Sequence, residues 1–393
     1  MPPPARTLLL PLAAATLLVA STIFLFAAAG TRWRPADTSF PVPAAAFPSS
    51  IPVTADSTRE LSFTDENGHP DDPSSISRCD PHHAAIRVFM YDLPPEFHFG
   101  LLGWSPPPPD GSSVWPDVSS GAAAAPPRYP GGLNQQHSVE YWLTLDLLSS
   151  SSPPCGAAVR VADAREADVV FVPFFASLSY NRHSRVVPPE KMSRDKELQE
   201  KLVRYLMARP EWKRSGGADH VIVAHHPNSL LYARSSLFPA VFVLSDFGRY
   251  HPRVASLEKD VIAPYKHLAK TFVNDSAGFD DRPTLLYFRG AIYRKELPYE
   301  DAFDYSKFSI FVRSSDAVKK GYLMRLIRGI SEHQWTRMWN RLKEVDKHFE
   351  YQHPSQKDDA VQMIWQTLAR KVPAIRLKAH RSRRFSRYDR KGK

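Results

Sequence analysis

Short apolar runs separated by amphipathic stretches make up the middle of this chain. Helical patterns such as 138–149 and 194–212 alternate with runs that are apolar on both faces and rich in Val, Ile and Phe. Such runs are typical of parallel strands covered by helices on both sides. The alternation predicts an α/β fold with an open, doubly wound parallel sheet. The predicted strands lie at 85–93, 167–178, 218–226, 240–247 and 284–292.

The pattern changes after residue 295. One short run, 306–312, reads as a strand, and three helical patterns follow at 315–331, 332–352 and 358–372. One strand and several helices cannot form a second parallel sheet. Several apolar side chains on these helices would therefore have no sheet to cover, namely Met324, Leu326, Ile327, Trp335 and Trp339.

The N-terminal region predicts attachment to a membrane. Residues 7–30 carry no charge, and a helix of this length can span the roughly 30 Å core of a bilayer. A cleaved signal peptide is the alternative, but its apolar core is usually shorter. We expect an uncleaved type II anchor with a cytoplasmic tail at 1–6. Residues 31–80, rich in Pro, Ser, Thr and Ala, predict a flexible stem.

Charge and cysteine content add two expectations. Much of the formal net charge of +10 comes from residues 376–393, which lack apolar periodicity and predict a disordered basic tail. This tail is either simply solvated or contacts acidic polysaccharide or anionic lipid. The two cysteines, Cys79 and Cys155, either pair in an oxidising compartment or remain free buried thiols, and Asn274 begins a glycosylation acceptor sequence.

Polar residues follow several of the predicted strands. Ligands of doubly wound sheets bind at the carboxyl ends of the strands, so Asp92, His225, His226 and Asp246 are candidates for a site. Each also has a structural alternative: a turn at Asp92, a polar loop at the histidines, and a helix cap at Asp246. The adjacent histidines have no carboxylate at ligand spacing, so we expect no zinc site.

A basic cluster follows the strand predicted at 284–292. Arg289, Arg294 and Lys295, beside Gly290, could hold a diphosphate through charge-assisted hydrogen bonds, or could form surface ion pairs. No Asp-x-Asp pair stands at a strand end. The sequence therefore predicts that a nucleotide diphosphate would be held by basic side chains and helix N-termini, without a metal.

A series of motifs resembles the exostosin-like glycosyltransferases of family 47, in particular the plant cell-wall branch that includes arabinosyltransferase-like proteins. The resemblance covers most of 85–295 and resumes at 296–317 and 335–378. The motifs run in order along the chain: IRVFMYDLPPEF (86–97), RYPGGLNQQHSVEYWL (128–143), READVVFVPFFASLSYNRH (165–183), ADHVIVAHHPNS (218–229), FVLSDFGRYHP (242–252), EKDVIAPYKH (258–267) and RPTLLYFRGAIYRK (282–295).

This resemblance implies a GT-B-like protein of two facing Rossmann-like halves in the Golgi lumen. It implies inverting transfer of a sugar from a UDP-sugar donor to a polysaccharide acceptor, with no further cofactor required. The half at 81–295 is whole, but the family has a long donor-binding segment between the counterparts of Lys295 and Glu296. The half at 296–375 is therefore expected to be incomplete and mostly helical.

The resemblance also suggests roles for residues. Glu296 and Glu300 would lie near the donor ribose. By placement at strand ends, Asp246, His225 or His226 would be the catalytic base. The alternative to an active transferase is a non-catalytic form acting as a partner subunit of related transferases or as an inactive product. A nucleic-acid-binding protein fits poorly, because the basic residues concentrate in a tail and the anchor separates the chain from nucleic acid.

Overall fold

A computed structural model of the chain describes residues 79–107, 113–118, 125–151, 155–247, 250–267, 277–281 and 297–391. All of them belong to one compact unit, residues 72–393. The predicted anchor at 7–30, residues 31–78 of the predicted stem, Asn274 and the strand predicted at 284–292 lie outside the described residues. Within the described residues, no helix is long and apolar enough to cross a bilayer.

Six parallel strands form one sheet, which confirms the α/β fold class. The strands are β1 (Ile86–Met90), β2 (Ala158–Val161), β3 (Val169–Val172), β4 (His220–Val223), β5 (Val241–Leu244) and β6 (Val261–Ile262). Their order is β2-β1-β3-β4-β5-β6, and every neighbouring pair is parallel. The strand order therefore reverses between β1 and β3, a position where doubly wound sheets form ligand crevices.

Helices connect and cover these strands. Four lie between strands: α1 (Val139–Ser149), α2 (Ala176–His183), α3 (Arg194–Ala208) and α4 (Pro210–Ser215). Four follow the last described strand: α5 (Ser314–Ala317), α6 (Tyr322–Arg328), α7 (Glu332–Val345) and α8 (Ala360–Lys391). Short 3-10 turns lie at Pro95–Phe97, Phe99–Leu102, Gly132–His137, Tyr305–Lys307 and Asp346–Phe349.

Hydrophobic packing covers both faces of the sheet, as the doubly apolar runs predicted. In β3, Val170 and Val172 face a core that includes Leu198 and Leu202 of α3. Val169 and Phe171 face the opposite core, which contains Leu143 of α1 together with Ile364 and Trp365 of α8. The alternation of side chains along a strand accounts for this division.

Helix α8 differs from two expectations of the sequence analysis. Its first half belongs to the core of the predicted N-terminal half, with Ile364, Trp365 and Leu368 fully buried beside β1, β3 and β4. The hydrophobic core therefore does not divide at residue 295. The helix also continues to Lys391, where the sequence predicted a disordered tail. Ion pairing of Arg376 with Asp168 stabilises the middle of the helix against the edge of the sheet.

The segment between Asp304 and Val345 is thinly packed. The strand predicted at 306–312 is wrong: a 3-10 turn at Tyr305–Lys307 leads into irregular chain. Helix α7 buries Val345 alone, and its Trp335 and Trp339 are half-buried. A strand needs a neighbour to satisfy its backbone groups, and the described residues offer none here.

A disulfide joins Cys79 to Cys155, with their Cα atoms 5.5 Å apart. Of the two alternatives for these cysteines, the structure thus adopts the paired one. The bond ties the first described residues to the chain entering β2, and the Cys79 N–H donates to the Ser151 carbonyl oxygen at 3.2 Å. Disulfides persist in oxidising compartments, so the bond fits the non-cytosolic placement that the sequence predicts.

Candidate active site

A cluster of aromatic and imidazole rings lies at the carboxyl ends of β4 and β6. We call it the histidine cluster, and it comprises His137, His225, His226 and Tyr265. The two adjacent histidines follow β4, Tyr265 follows β6, and His137 ends the 3-10 turn before α1. The rings of His137 and His226 have centroids 4.6 Å apart, and the His137 ring lies 5.2 Å from that of Tyr265.

Hydrogen bonds determine which ring nitrogens carry protons. The buried His225 approaches the Ala263 carbonyl oxygen with Nε2 at 3.1 Å, and a carbonyl can only accept, so Nε2 carries the proton. In neutral His225 the other nitrogen, Nδ1, is then an acceptor. It lies 3.0 Å from His137 Nδ1, which must donate. Neutral His137 therefore keeps its basic lone pair on Nε2.

His226 has a different arrangement. Its Nδ1 accepts from the Asn228 backbone N–H at 3.1 Å, which places the proton of the neutral ring on Nε2. Its ring packs against Tyr180 of α2 at a centroid distance of 4.6 Å. When all three rings are neutral, the proton of His137 thus lies on Nδ1, whereas those of His225 and His226 lie on Nε2.

Asp246 joins this group through a tyrosine. The residue follows β5 and is 9% exposed, and its Oδ2 accepts from the Tyr265 hydroxyl at 3.4 Å. The Ser245 hydroxyl lies at the same distance from that oxygen. The structure thus brings together all three predicted base candidates, Asp246, His225 and His226, at one edge of the sheet.

A buried carboxyl group is linked to the histidine cluster through a serine hydroxyl. Glu140 of α1 is fully buried, and its Oε1 accepts from the Ser177 and Leu178 N–H groups at the start of α2. Burial raises the pKa of Glu140 to about 8, against the lowering effect of these hydrogen bonds. The Ser177 hydroxyl contacts Glu140 Oε2 at 3.3 Å and accepts from the His226 N–H at 3.2 Å. Glu140 therefore positions the backbone that carries His226.

The other predicted residues lie elsewhere. Asp92 follows β1 and accepts from Arg160 and from the Trp115 indole N–H at 2.7 and 2.6 Å. Exposed Glu300 accepts from the Leu297 N–H and lines a groove beside β6 with Lys371. Neither lies in the histidine cluster. The predicted donor residues Arg289, Gly290, Arg294, Lys295 and Glu296 lie outside the described residues.

Three residues of the site were not predicted from the sequence. His137 and Tyr265 stand in motifs quoted for the family resemblance, but loop paths bring them to the strand ends, and no strand pattern marks them. Glu140 reads as an exposed position in the sequence of α1. In the described part of the chain, no group of three or more His, Cys, Asp or Glu side chains is placed to hold a metal ion.

Comparisons with known proteins define the class of the protein. Residues 82–297 match the exostosin GT47 domain, which is more than half of the chain. The chain belongs to this glycosyltransferase family, and its sheet is the Rossmann-like N-terminal half of a GT-B-like fold. No solved structure gives a significant match.

Two curated Arabidopsis thaliana proteins are similar to the chain. One is named probable arabinosyltransferase ARAD1 and is 30% identical over 418 residues, covering 86% of this chain and 88% of the relative. The other is named probable xyloglucan galactosyltransferase GT17 and is 28% identical over 151 residues, covering 38% of this chain and 31% of the relative.

The alignment with the arabinosyltransferase shows a shortfall inside this chain. The aligned length is 418, whereas 86% of the 393 residues is about 338 residues, so about 80 aligned positions fall opposite gaps in this chain. A shortfall of this size agrees with the prediction that an internal segment is missing from this chain.

Proposed function

We propose that this chain derives from a membrane-anchored Golgi glycosyltransferase that transfers a sugar from a UDP-sugar to a cell-wall polysaccharide with inversion. Its main support is the histidine cluster beside Asp246, at the carboxyl ends of the strands of an exostosin GT47 domain. The names of the two Arabidopsis relatives supply the substrate class. The disulfide supports placement in an oxidising lumen.

In an inverting transfer, a base removes the proton of the acceptor hydroxyl while its oxygen attacks the anomeric carbon. The bond to the diphosphate breaks on the opposite side, and UDP leaves. His137 Nε2 and Asp246 are the groups of the cluster suited to accept that proton. His225 and His226 have their Nδ1 lone pairs engaged, so their role is to hold His137 and the loop after β4.

The donor would lie against Arg289, Gly290, Arg294 and Lys295, where positive charge stabilises the leaving diphosphate without a metal. Glu296 and Glu300 would approach the ribose. The polysaccharide is the acceptor, and related transferases are the expected protein partners.

The experiment that tests the catalytic assignment measures sugar transfer by variants of an active form. The two variants are His137→Asn and Asp246→Asn. General base catalysis contributes about 10² to 10⁴ in rate, so the variant that lacks the base should lose this much of its transfer rate. The control is His251→Asn at an exposed histidine, which should leave the rate unchanged. Full activity in both variants would contradict the assignment.

A second candidate function is a non-catalytic relative of such an enzyme. The shortfall of about 80 aligned positions favours it for this form of the protein. Thermal unfolding of the full chain with and without UDP separates the two. A ligand at 100 times its dissociation constant adds about 2.7 kcal/mol of stability. A shift in Tm indicates a surviving donor site, and an unchanged cooperative melt indicates the non-catalytic form.

Restoring the segment is the matched control. A chain carrying the arabinosyltransferase's sequence between Lys295 and Glu296 should bind UDP if the segment builds the donor pocket. If the short chain transfers sugar as fast as the restored chain, the segment is dispensable and the non-catalytic alternative fails.

A further inference from the structure

A second groove is lined by segments that follow β1 and β3, the two strands between which the strand order reverses. Its walls include Glu96, Leu101 and Trp104 after β1, and Arg182 and His183 at the end of α2. Its volume is about 520 Å³, within the usual range for small-molecule sites. We call this depression the Trp104 groove.

The aromatic wall of the groove is held in place. Gly103 has a φ of +86°, a left-handed conformation that turns the chain after the 3-10 turn at Phe99–Leu102. The Trp104 N–H then donates to the Phe99 carbonyl at 3.1 Å, and the two rings meet edge to face with centroids 6.4 Å apart. Because Phe99 is fully buried, the half-buried indole is fixed against the core.

The groove carries a positive charge that is not neutralised. Arg182 donates to the neutral Leu101 carbonyl at 2.6 Å, and no carboxylate among the described residues pairs with it. Arg194 lies nearby and pairs with Glu96 and Glu197, and Lys201 also pairs with Glu96. The pKa of His183 is lowered by its burial and by Arg182 and Arg194, which reports the same positive field.

Helix α2 connects this groove to the histidine cluster. At its start the Ser177 N–H donates to Glu140, and in its middle Tyr180 packs against His226. At its end Arg182 lines the groove. A chain-like ligand could therefore contact both regions along one short helix, which rises about 1.5 Å per residue.

A rigid aromatic surface beside a guanidinium matches a sugar ring that carries a carboxylate. The indole can pack against the ring, and Arg182 can pair with the acid group. We propose that the Trp104 groove binds a uronic acid residue of the polysaccharide acceptor. This proposal deepens the proposed function and rests on it, since it takes the acceptor to be a polysaccharide.

The test is a binding titration of the full chain, purified in detergent micelles from a secretory host. The probes are a galacturonic acid trisaccharide and its carboxyl-reduced counterpart. Calorimetry measures the affinity of each. We expect the acidic trisaccharide to bind about tenfold more tightly, a difference of about 1.4 kcal/mol, because only its carboxylate can pair with the Arg182 guanidinium. Equal affinity for the two sugars would overturn the assignment of a uronic acid.

Variants locate the site. Trp104→Ala should weaken binding of the acidic trisaccharide about threefold to tenfold, and Arg182→Gln should remove the preference for the acidic over the reduced sugar. The control Arg165→Gln changes an exposed arginine outside the groove and should leave binding unchanged. If Arg182→Gln fails to fold, Arg182→Met takes its place, because it keeps the aliphatic part of the side chain and removes the charge.

Unchanged affinity in Trp104→Ala together with Arg182→Gln or its substitute would overturn the location. The readout needs no nucleotide sugar and no turnover. A failure of the proposed transferase activity would therefore leave this titration interpretable, and the two failures can be told apart.

Discussion

Helices α7 and α8 carry similar patterns but pack differently. Each places Trp and aliphatic residues on one face, yet α8 buries Trp365 and Ile364 completely, whereas Trp339 of α7 stays half-buried. An amphipathic pattern states that a helix has an apolar face, and the structure around it decides whether that face is covered.

The difference follows from what each helix meets. Helix α8 lies on the face of the sheet that α1 leaves partly open, and the buried Asp146 of α1 accepts from the Trp365 indole at 2.8 Å. Helix α7 has no sheet beside it among the described residues. This is the outcome expected if a family member's second sheet is incomplete here.

The largest contrast should come from matched tryptophan truncations. Trp365→Ala should lower the free energy of unfolding by about 3–5 kcal/mol, because it leaves a cavity and removes the indole N–H that donates to Asp146 Oδ2. Trp339→Ala should cost clearly less than Trp365→Ala, because Trp339 is half-buried and its removal leaves no closed cavity. Urea denaturation of both variants measures this, and similar losses would show that α7 packs as firmly as α8.

The disulfide should stabilise the well-packed region alone. Its cysteines are 76 residues apart, and replacing both by Ser should cost about 2–5 kcal/mol of global stability. Amide hydrogen exchange should become faster in β1 and β2 of the variant, whereas the amides of α7 should keep their exchange rates. Faster exchange in α7 as well would mean that the two regions unfold together. Reduced wild-type protein is the control.

Glu140 gives a pH test within the packed region. Its folded pKa of about 8 lies above its ordinary value of 4.5, so the folded state binds the proton more tightly and stability falls as pH rises from 4.5 to 8. Glu140→Gln imitates the protonated form. It should match wild type near pH 5 and exceed it by about 1–3 kcal/mol near pH 9. Parallel stability curves across this range would refute the raised pKa.

The smallest effect should be a charge placed on α6. Met324 is 38% exposed, and Met324→Glu should change stability by no more than about 0.5 kcal/mol. The matched change in α8, Met363→Glu, places a charge at a 5% exposed position and should be severely destabilising. Thermal melts of the pair decide, and a large loss at Met324 would reveal a partner for α6.

The sequence predicted four of the six described strands, because β1, β3, β4 and β5 lie in long apolar runs. It missed β2 and β6, which have four and two residues and lie at the sheet edges. The strand predicted at 306–312 failed because apolar alternation cannot report a missing neighbour. The basic end of α8 was predicted to be disordered because it has no apolar periodicity. In the structure it continues a helix that begins at the buried Ala360.

The site was predicted in part for a similar reason. His225, His226 and Asp246 follow buried strands, so the rule for carboxyl ends found them. His137 and Tyr265 reach the same place through loops, and loop paths are set by tertiary packing. Glu140 is invisible to pattern reasoning because a buried carboxyl on a helix resembles a solvated one until its neighbours are known.

The position of α8 has a consequence for synthesis of the protein. The helix that completes one face of the sheet leaves the ribosome more than 250 residues after β1. Until α8 has emerged, Ile86, Val88 and Met90 lack part of their cover, and exposed apolar strands favour aggregation. Nascent chains should therefore depend on chaperones until α8 has been synthesised, and truncation before Ala360 should leave the protein retained by quality control.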